Sequence, residues 1–423
     1  MHCIPRVSLI AAVLAVSNVQ AQEPAGGKPA AVPKPQGELA MGLRRRANEA
    51  AWHDPLDSVR LERRLLTEAI EKARAYYLAQ QLEAGNFTYA RNIVTGEQAT
   101  DDNQVRQAGA LWGLASLNRD RPDLPTARAV IHGLLFFYSN SRPLHSGYTG
   151  PVYPGSDEIK TGTVALATLA MIELWRGEEK YLTRLGKGQC TMWARHYLNY
   201  LRGMEMENGS WGRLYKVEKA ERVAVSSAYY DGEALLAYCR AARYMGRREL
   251  IPRIERIAPL LAQKYTTDAW RLDPDSDLTK GFFQWGCMAF AEYVEAGWKD
   301  ADVMGDACLA LAWWQIHERK VETLRGNTAY AVEGLLAAYK VAKMRGNTKA
   351  MQSLRPVIER LLVQQISTQV GGPLMEYSRF LASNQYQLDC VGGIMASASS
   401  GQVRIDVVQH QVHAMLMALE ILY

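Results

Sequence analysis

The sequence predicts an all-α fold in which six helical hairpins close into a ring. Apolar residues recur at three- and four-residue spacing over most of the chain after residue 57, which is the helical period. Charged amphipathic segments alternate with shorter, nearly uncharged segments rich in Ala, Gly and Leu. Each kind occurs six times. Six hairpins in sequence favour a closed ring over an open α-solenoid, which remains the alternative architecture.

The N-terminus has the features of a secretory signal over residues 1–21. Arg6 precedes an apolar stretch that ends at Val16, and Ala21 closes a cleavage site of the small-residue type. The apolar stretch is too short to span a bilayer. A flexible Pro- and Ala-rich lead-in is expected over residues 22–45, followed by a single domain over residues 46–423. The sequence therefore predicts a periplasmic or secreted protein without stable membrane insertion after cleavage.

Charge and cysteine content exclude several classes of protein. The formal net charge of +5 over 423 residues is too small for a nucleic-acid partner, and no Lys/Arg-rich block is present. Five cysteines remain after cleavage, with irregular spacing and no CxxC motif, so they form neither a disulfide framework nor a zinc finger. One disulfide is possible in an oxidising compartment, but the sequence does not identify the pair among Cys190, Cys239, Cys287, Cys308 and Cys390.

The amphipathic segments are the predicted outer helices, with one face buried and the other in water. Short strands remain possible only in the loops near residues 208–215 and 371–377. The predicted outer helices are Asp57–Gln81, Pro125–Ser139, Lys180–Met204, Arg248–Lys264, Ala301–Glu318 and Thr348–Ile366.

The uncharged segments are the predicted inner helices, because a helix that is apolar on all sides must be buried on all sides. They span residues 105–117, 159–171, 229–241, 282–294, 330–342 and 409–421. Glycine inside a helix costs roughly 1 kcal/mol relative to alanine. A glycine repeated at one register therefore indicates close packing. The aligned positions are Gly109, Gly162, Gly232, Gly286 and Gly334, with His413 in the sixth helix.

This pattern resembles the six-hairpin (α/α)6 toroid of several glycoside hydrolase, polysaccharide lyase and sugar epimerase families, and it covers nearly the whole mature chain. The resemblance implies a carbohydrate polymer or oligosaccharide as the partner. A second resemblance is to the toroids of triterpene cyclases and protein prenyltransferases. It rests on Gln80-Gln81 before Gly85 and Phe87, and on Gly209-Ser-Trp211. The aspartate-rich motif of the cyclases is absent, and substrates made inside the cell are difficult to reconcile with export.

Neither a metal nor a cofactor is predicted. His410 and His413 have the i, i+3 spacing with which two imidazoles can face one metal. The prenyltransferase zinc site has an Asp-x-Cys pair, however, and Asp389 and Cys390 are adjacent here. Motifs typical of metalloproteases, nucleotide-binding proteins and serine hydrolases are also absent.

The N-termini of the inner helices are predicted to gather at one end of the ring, here called the mouth, where unpaired backbone N–H groups and helix dipoles point. Asp102 and Arg106 are spaced i, i+4 before the aligned position, and Asp406 and His410 repeat this spacing in the last helix. The first and sixth hairpins are neighbours in a closed ring. The two pairs are therefore expected side by side, with Asp406 orienting His410 for general acid–base work.

These observations favour an exported carbohydrate-active enzyme, with glycoside hydrolysis by paired carboxylates as the leading hypothesis. The candidate catalytic residues are Asp102, Asp231, Glu333, Asp406 and His410. The candidate substrate-binding residues are Arg106, Glu158, Tyr230, Trp285, Asn327, Arg404 and Trp211.

Three other interpretations stay open. A uronate lyase or epimerase would use His410 or Tyr230 as base and an arginine to neutralise the substrate carboxylate, the candidates being Arg106, Arg325 and Arg404. A non-catalytic toroid would bind a glycan or an envelope protein. The mouth carboxylates could also be structural, as N-terminal helix caps and pairs that close the ring.

Overall fold

The computed structural model describes residues 55–144, 147–177, 184–324 and 326–423. They form one compact unit, Pro55–Tyr423. The predicted signal and lead-in lie outside the described residues, as does Arg325. Within the described ranges, no helix is long and apolar enough to cross a membrane.

In the described part of the chain, six amphipathic helices form the outer layer, close to the predicted ranges. The first helix begins later than expected because residues Pro55–Ser58 form a 3-10 turn and Glu62 is extended. The fourth is preceded by a 3-10 turn at Arg248–Leu250 and continues through a π-helical segment, Lys264–Asp268. The outer helices are α1 (Arg63–Gln80), α3 (Leu124–Ser139), α5 (Arg184–Met204), α7 (Ile251–Gln263), α10 (Ala301–His317) and α12 (Thr348–Ser367).

Six buried helices form the inner layer: α2 (Gln104–Asp120), α4 (Thr161–Arg176), α6 (Ala228–Tyr244), α9 (Asp277–Glu295), α11 (Ala329–Met344) and α14 (Ile405–Leu422). Each packs against the next in chain order, and α14 packs against α2. Each inner helix also packs against an outer helix. The predicted all-α toroid is confirmed, and the ring is closed.

All six inner helices run in the same direction, because ion pairs join residues near their C-termini in succession from α2 to α14. At the mouth, Gln104 at the start of α2 accepts a hydrogen bond from Thr163 at the start of α4, at 3.0 Å. At the opposite end, Arg119 near the end of α2 lies 2.6 Å from Glu173 near the end of α4. The helix N-termini therefore gather at the mouth, as predicted.

Short elements connect the hairpins. They are the helices α8 (Ala269–Leu272) and α13 (Arg379–Ser383) and the antiparallel strand pairings β1–β7, β2–β3 and β4–β5–β6. The strands are β1 (Ala90–Asn92), β2 (Ser141–Pro143), β3 (Thr149–Pro151), β4 (Glu158–Lys160), β5 (Leu214–Lys216), β6 (Glu221–Val223) and β7 (Gln402–Arg404). Strand β5 overlaps one of the two expected loops, whereas residues 371–377 contain a 3-10 turn instead. Pairing of β4 with β5 at Ile159 and Lys160 delays the start of α4 to Thr161.

The aligned glycines lie at close contacts. A Cβ on Gly232 would be 2.5 Å from Cβ of Trp285 and 3.2 Å from the backbone nitrogen of Gly286. A Cβ on Gly162 would meet the carboxyl of Glu233 at 2.5 Å. Each value is shorter than ordinary van der Waals contact. The glycine register therefore allows neighbouring inner helices to approach.

The five thiols in the described residues are free and buried. Those of Cys287 on α9 and Cys308 on α10 lie against each other's backbone, with each Sγ 3.6–3.7 Å from the other carbonyl oxygen. These two cysteines join an inner helix to its outer partner.

Candidate active site

A layer of inward-facing side chains closes the funnel below the mouth, and we call it the floor layer. At its centre the ring centroids of Trp112 and Trp285 lie 5.4 Å apart, and the centroid of the His413 ring lies 4.3 Å from that of Trp112. Trp285, a predicted substrate-binding residue, is only 3% exposed and belongs to this floor. The floor layer consists of Trp112, Trp285, Glu333 and His413, which are joined by these ring contacts and by a hydrogen bond between His413 and Glu333.

Glu333 is fully buried and holds side chains from both neighbouring inner helices. Its Oε2 lies 2.8 Å from Nδ1 of His410, and its Oε1 lies 2.6 Å from Nδ1 of His413. Gln284 donates from Nε2 to Oε2 at 2.6 Å. A carboxylate offers only acceptors, so both imidazoles must present their Nδ1–H groups to it. Glu333 thereby fixes the tautomer and the orientation of both rings.

His410 is the imidazole of this pair that reaches the funnel. Its side chain is 15% exposed, whereas that of His413 is 2% exposed. Because Nδ1 is bonded to Glu333, Nε2 is the nitrogen left for a ligand. A histidine held by a carboxylate on one nitrogen and free on the other can act as a general base or acid.

The predicted seam between the first and last hairpins exists, but its pairing differs from the expectation. Nε of Arg106 lies 3.4 Å from Asp406. Asp406 does not hold His410. Instead, Arg404 donates two hydrogen bonds, of 2.7 and 2.8 Å, to the Asp406 carboxylate. Burial alone would raise the pKa of Asp406, but Arg404, His410 and Arg106 lower it. Asp406 therefore acts as the anion of an arginine cluster, because β7 carries Arg404 to the start of α14.

Asp102 lies at the mouth but does not cap α2, since Asn103 accepts the N-terminal hydrogen bonds there. Its Oδ1 accepts a hydrogen bond from Gln107 at 2.8 Å, and Tyr153 donates to its Oδ2 at 2.5 Å. With a donor on each of its two oxygens, Asp102 is an exposed carboxylate held in one orientation. Arg106, one turn further along α2, donates a hydrogen bond to the hydroxyl of Tyr89.

Asp231 and Trp211 lie in the core and not in the funnel. Asp231 is fully buried, accepting hydrogen bonds from the Trp211 backbone at 2.8 Å and from the Tyr265 hydroxyl at 2.6 Å. Burial raises the pKa of Asp231, an effect that Tyr265 and then Lys264 oppose. The ring of Trp211 packs edge-on against Tyr238. The expectation that these two residues line the mouth is wrong, because this face of α6 points towards α7 and the π-helical segment.

The remaining predicted binding residues differ in position, and not all of them are exposed at the mouth. Asn327 precedes the N-cap residue of α11 and accepts a hydrogen bond from the backbone of Ala329 at 2.9 Å, which is a structural role. Glu158 and Tyr230 are partly exposed on β4 and α6. Burial and the nearby Glu233 raise the pKa of Tyr230. Tyr230 therefore lies beside a carboxyl that was not among the candidate site residues.

That carboxyl belongs to Glu233, and Gln284 was missed as well. Glu233 is 3% exposed, and its Oε2 has no hydrogen-bond partner among the described residues. Burial raises its pKa to about 8. Glu233 lies seven residues before Arg240 and on the same face of α6, whereas Asp231 lies on the opposite face, and the contacts of Arg240 in the structure identify the face that points inwards. In the described part of the chain, no cluster of three or more His, Cys, Asp or Glu residues is arranged to hold a metal ion.

No protein-family model matches the chain, and no curated protein matches it significantly. Solved structures do match. A D-mannose isomerase superposes with a TM-score of 0.57 at 13% identity, covering 87% of this chain and 99% of that chain. The cellobiose 2-epimerase from Spirochaeta thermophila gives 0.56 at 15% identity, covering 92% and 100%. A GH76 α-mannanase from Bacteroides thetaiotaomicron gives 0.54 at 9% identity, covering 84% and 95%. The chain thus has the (α/α)6 toroid fold, as the sequence pattern indicated.

Proposed function

We propose that this protein is a carbohydrate-active enzyme that moves a proton on a sugar, as isomerases and epimerases do. The observation that carries the proposal is the Glu333 carboxylate, which holds His410 by Nδ1 and leaves Nε2 of this 15% exposed side chain for a ligand. Such an imidazole suits proton abstraction. The similarity in fold to D-mannose isomerase and cellobiose 2-epimerase is consistent with this chemistry.

The funnel wall suits a sugar ligand. Tyr229 at the start of α6 is 47% exposed, and Tyr230 beside it is partly exposed. Aromatic faces pack on the apolar faces of sugar rings, while Asp102 and Arg106 can pair with hydroxyl groups. Asp406 pairs with both Arg106 and Arg404 and offsets one of their two positive charges.

The proposed step balances without a cofactor. Nε2 of His410 takes the proton from the carbon next to the carbonyl of an open-chain sugar. The electron pair of that C–H bond forms a carbon–carbon double bond, and the carbonyl electrons move to oxygen to give an enediolate. Return of a proton to the former carbonyl carbon, with transfer of the neighbouring hydroxyl proton to the enediolate oxygen, gives the isomer. Return of a proton to the opposite face of the same carbon, with the carbonyl re-formed, gives the epimer.

The test is exchange in deuterium oxide. Purified protein is incubated with D-mannose, D-glucose and cellobiose, and NMR follows both deuterium at the carbon next to the carbonyl and any new sugar. Wild type should convert at least one of them, and His410→Gln should lower the rate by about 10²–10⁴-fold. His317→Gln, an exposed histidine at the end of α10, is the matched control and should react like wild type. Unchanged exchange in His410→Gln would contradict the proposal.

Glycoside hydrolysis is the second candidate, and Glu233 is the observation in its favour. A carboxyl with a pKa of about 8 is protonated at neutral pH, the state required of the acid that protonates a leaving group. Of the expected carboxylates, Asp231 is in the core, Asp406 is engaged by arginine and Glu333 by two histidines, which leaves Asp102 as the partner. Mass spectrometry separates the two functions, because hydrolysis adds water to the products and isomerisation leaves the mass unchanged.

A further inference from the structure

Glu233 lies on the face of α6 that points at the toroid axis. Arg240, two turns further along the same face, contacts Glu173 of α4 at 2.6 Å and Glu292 of α9 at 3.0 Å. Its guanidinium also lies 5.5 Å from the ring of Trp112 on α2, which is not a neighbour of α6 in the ring. Only a side chain directed at the axis can reach all three helices. Glu233 shares that direction.

The carboxyl of Glu233 is directed towards the mouth. It lies where the side chain of Gly162, at the start of α4, would be, since a Cβ there would be 2.5 Å from Oε2. Helical side chains lean towards the helix N-terminus, which in α6 is the mouth. In the ring order α2, α4, α6, α9, α11, α14, helix α6 stands opposite α14, which carries His410. Glu233 and His410 therefore come from opposite walls of the same funnel.

The surroundings of Glu233 leave its Oε2 without a partner. No hydrogen bond from the described residues reaches that oxygen, although an unpaired buried polar atom costs free energy. Gly162 on α4 and Trp285 on α9 contribute no titratable group beside it. The charged and titratable groups around its neighbours Tyr229 and Tyr230 are Asp277, Arg319, Arg106, Arg213 and Glu158.

We infer that Glu233 is the second proton-transfer group of the site, donating a proton to the sugar face opposite His410, so that the reaction inverts one carbon. This inference rests on the proposed function and deepens it from proton transfer to epimerisation. His410 accepts the proton from one face and forms the enediolate, and the Glu233 carboxylic acid gives its proton to the same carbon from the other face. Turnover leaves an imidazolium and a carboxylate, and proton exchange with solvent restores both.

One arm of the test measures stability and does not depend on enzyme activity. An acid that is protonated in the folded state, with a pKa of about 8, but ionised in the unfolded chain loses stabilisation as pH rises from about 4.5 to 8. The Glu233→Gln variant has no ionisable group at this position, so it does not lose this stabilisation as pH rises. The melting temperature of the variant should therefore exceed that of wild type by a margin that grows to a few degrees towards pH 8. Glu249→Gln, an exposed carboxylate after α6, is the control and should show no such trend. A margin independent of pH would overturn the inference.

The second arm of the test measures the contributions of His410 and Glu233 separately. In deuterium oxide, Glu233→Gln should still exchange the substrate hydrogen through His410 but should form epimer at least 100-fold more slowly. His410→Gln should lose exchange at that face, and Glu233→Asp should recover part of the inversion. Wild-type activity should fall as pH rises through about 8, and this limb should be absent from the residual reaction of Glu233→Gln.

The outcomes separate the two proposals. If wild type exchanges no sugar hydrogen, the proposed function fails and this role fails with it. If wild type and Glu233→Gln form epimer at equal rates while His410→Gln is inactive, only the role of Glu233 is overturned.

Discussion

The carboxylate of Glu333 serves three donors at once: His410, His413 and Gln284. Its two oxygens offer about four lone-pair sites, so three short hydrogen bonds can be accepted without conflict. Hydrogen bonds to an ionised acceptor in a buried setting are stronger than neutral ones. At the residue scale, Glu333 is therefore the group on which the orientation of His410 depends.

Glu333→Gln should weaken both the site and the fold. The amide replaces one acceptor oxygen with a donor, which must then face a donor of either His413 or the pair His410 and Gln284. A buried unsatisfied donor costs about 1–3 kcal/mol, and the tautomer of one imidazole is no longer fixed. Urea unfolding should show this loss, and sugar exchange should fall by about 10²-fold or more. Equal stability and equal exchange would show that the imidazoles are held by other contacts.

Much of this site was accessible from sequence. The spacing of Asp406 and His410, and their place beside Arg106, followed from helical periodicity and ring closure. The partner of His410 did not. Asp406 was the expected partner, whereas Arg404 occupies its carboxylate and Glu333 holds His410.

At the scale of the elements, the glycine register sets how closely the inner helices approach. Gly232 of α6 lies against Trp285 and Gly286 of α9. The atoms that an added Cβ would meet are a Cβ and a backbone nitrogen, which cannot move without moving the helix. Glycine costs helix propensity at this position but permits the close packing that buries the inner layer.

Gly232→Ala should therefore destabilise the protein by about 1–3 kcal/mol, because overpacking between α6 and α9 outweighs the gain in helix propensity. Gly188→Ala is the matched control. Gly188 lies in α5 with no atom within 4 Å of an added Cβ, so alanine there should stabilise by up to about 1 kcal/mol. Chemical denaturation of both variants measures whether each substitution lowers or raises the free energy of unfolding. A stabilised Gly232→Ala would show that α6 and α9 separate at little cost.

At the scale of the whole molecule, charged residues tie the inner helices together at the end opposite the mouth. Glu173 of α4 bonds Arg119 of α2 and Arg240 of α6, each at 2.6 Å, and Arg240 bonds Glu292 of α9 at 3.0 Å. Lys340 of α11 lies 3.9 Å from Glu420 of α14. Seven positions, or about 10.5 Å of helix, separate each floor-layer residue from one charge of this network: Arg119, Glu292, Lys340 or Glu420.

This charge network predicts sensitivity to acid. Burial alone would raise the pKa of Glu173, but Arg119, Arg240 and Arg176 lower it to about 2. Since the folded-state pKa lies below the unfolded value, the stabilisation is present above about pH 4.5 and is lost as pH falls towards 2. The loss amounts to about 3 kcal/mol. Urea midpoints between pH 6 and 2 should fall accordingly.

Glu173→Gln is the control for this acid dependence. The variant should be less stable at pH 7 by about 3–5 kcal/mol, because Arg119 and Arg240 lose a buried partner. Its stability should then depend less on pH between 4.5 and 2 than that of wild type. An unchanged acid dependence would assign the acid sensitivity to other carboxylates.

The sequence by itself determined the class of fold, the number of hairpins and the end of the ring at which polar residues gather. These properties depend on periodicity and burial, which each segment carries locally. Only the tertiary structure decided which carboxylate holds His410, that Asp231 lies in the core, and that Glu233 faces the axis. Helical positions two residues apart, such as Asp231 and Glu233, point about 200° apart, so an uncertainty of one register position changes the environment of a side chain. Partner choice is decided by contacts between segments distant in sequence, such as α11 and α14, and local periodicity carries no information about them.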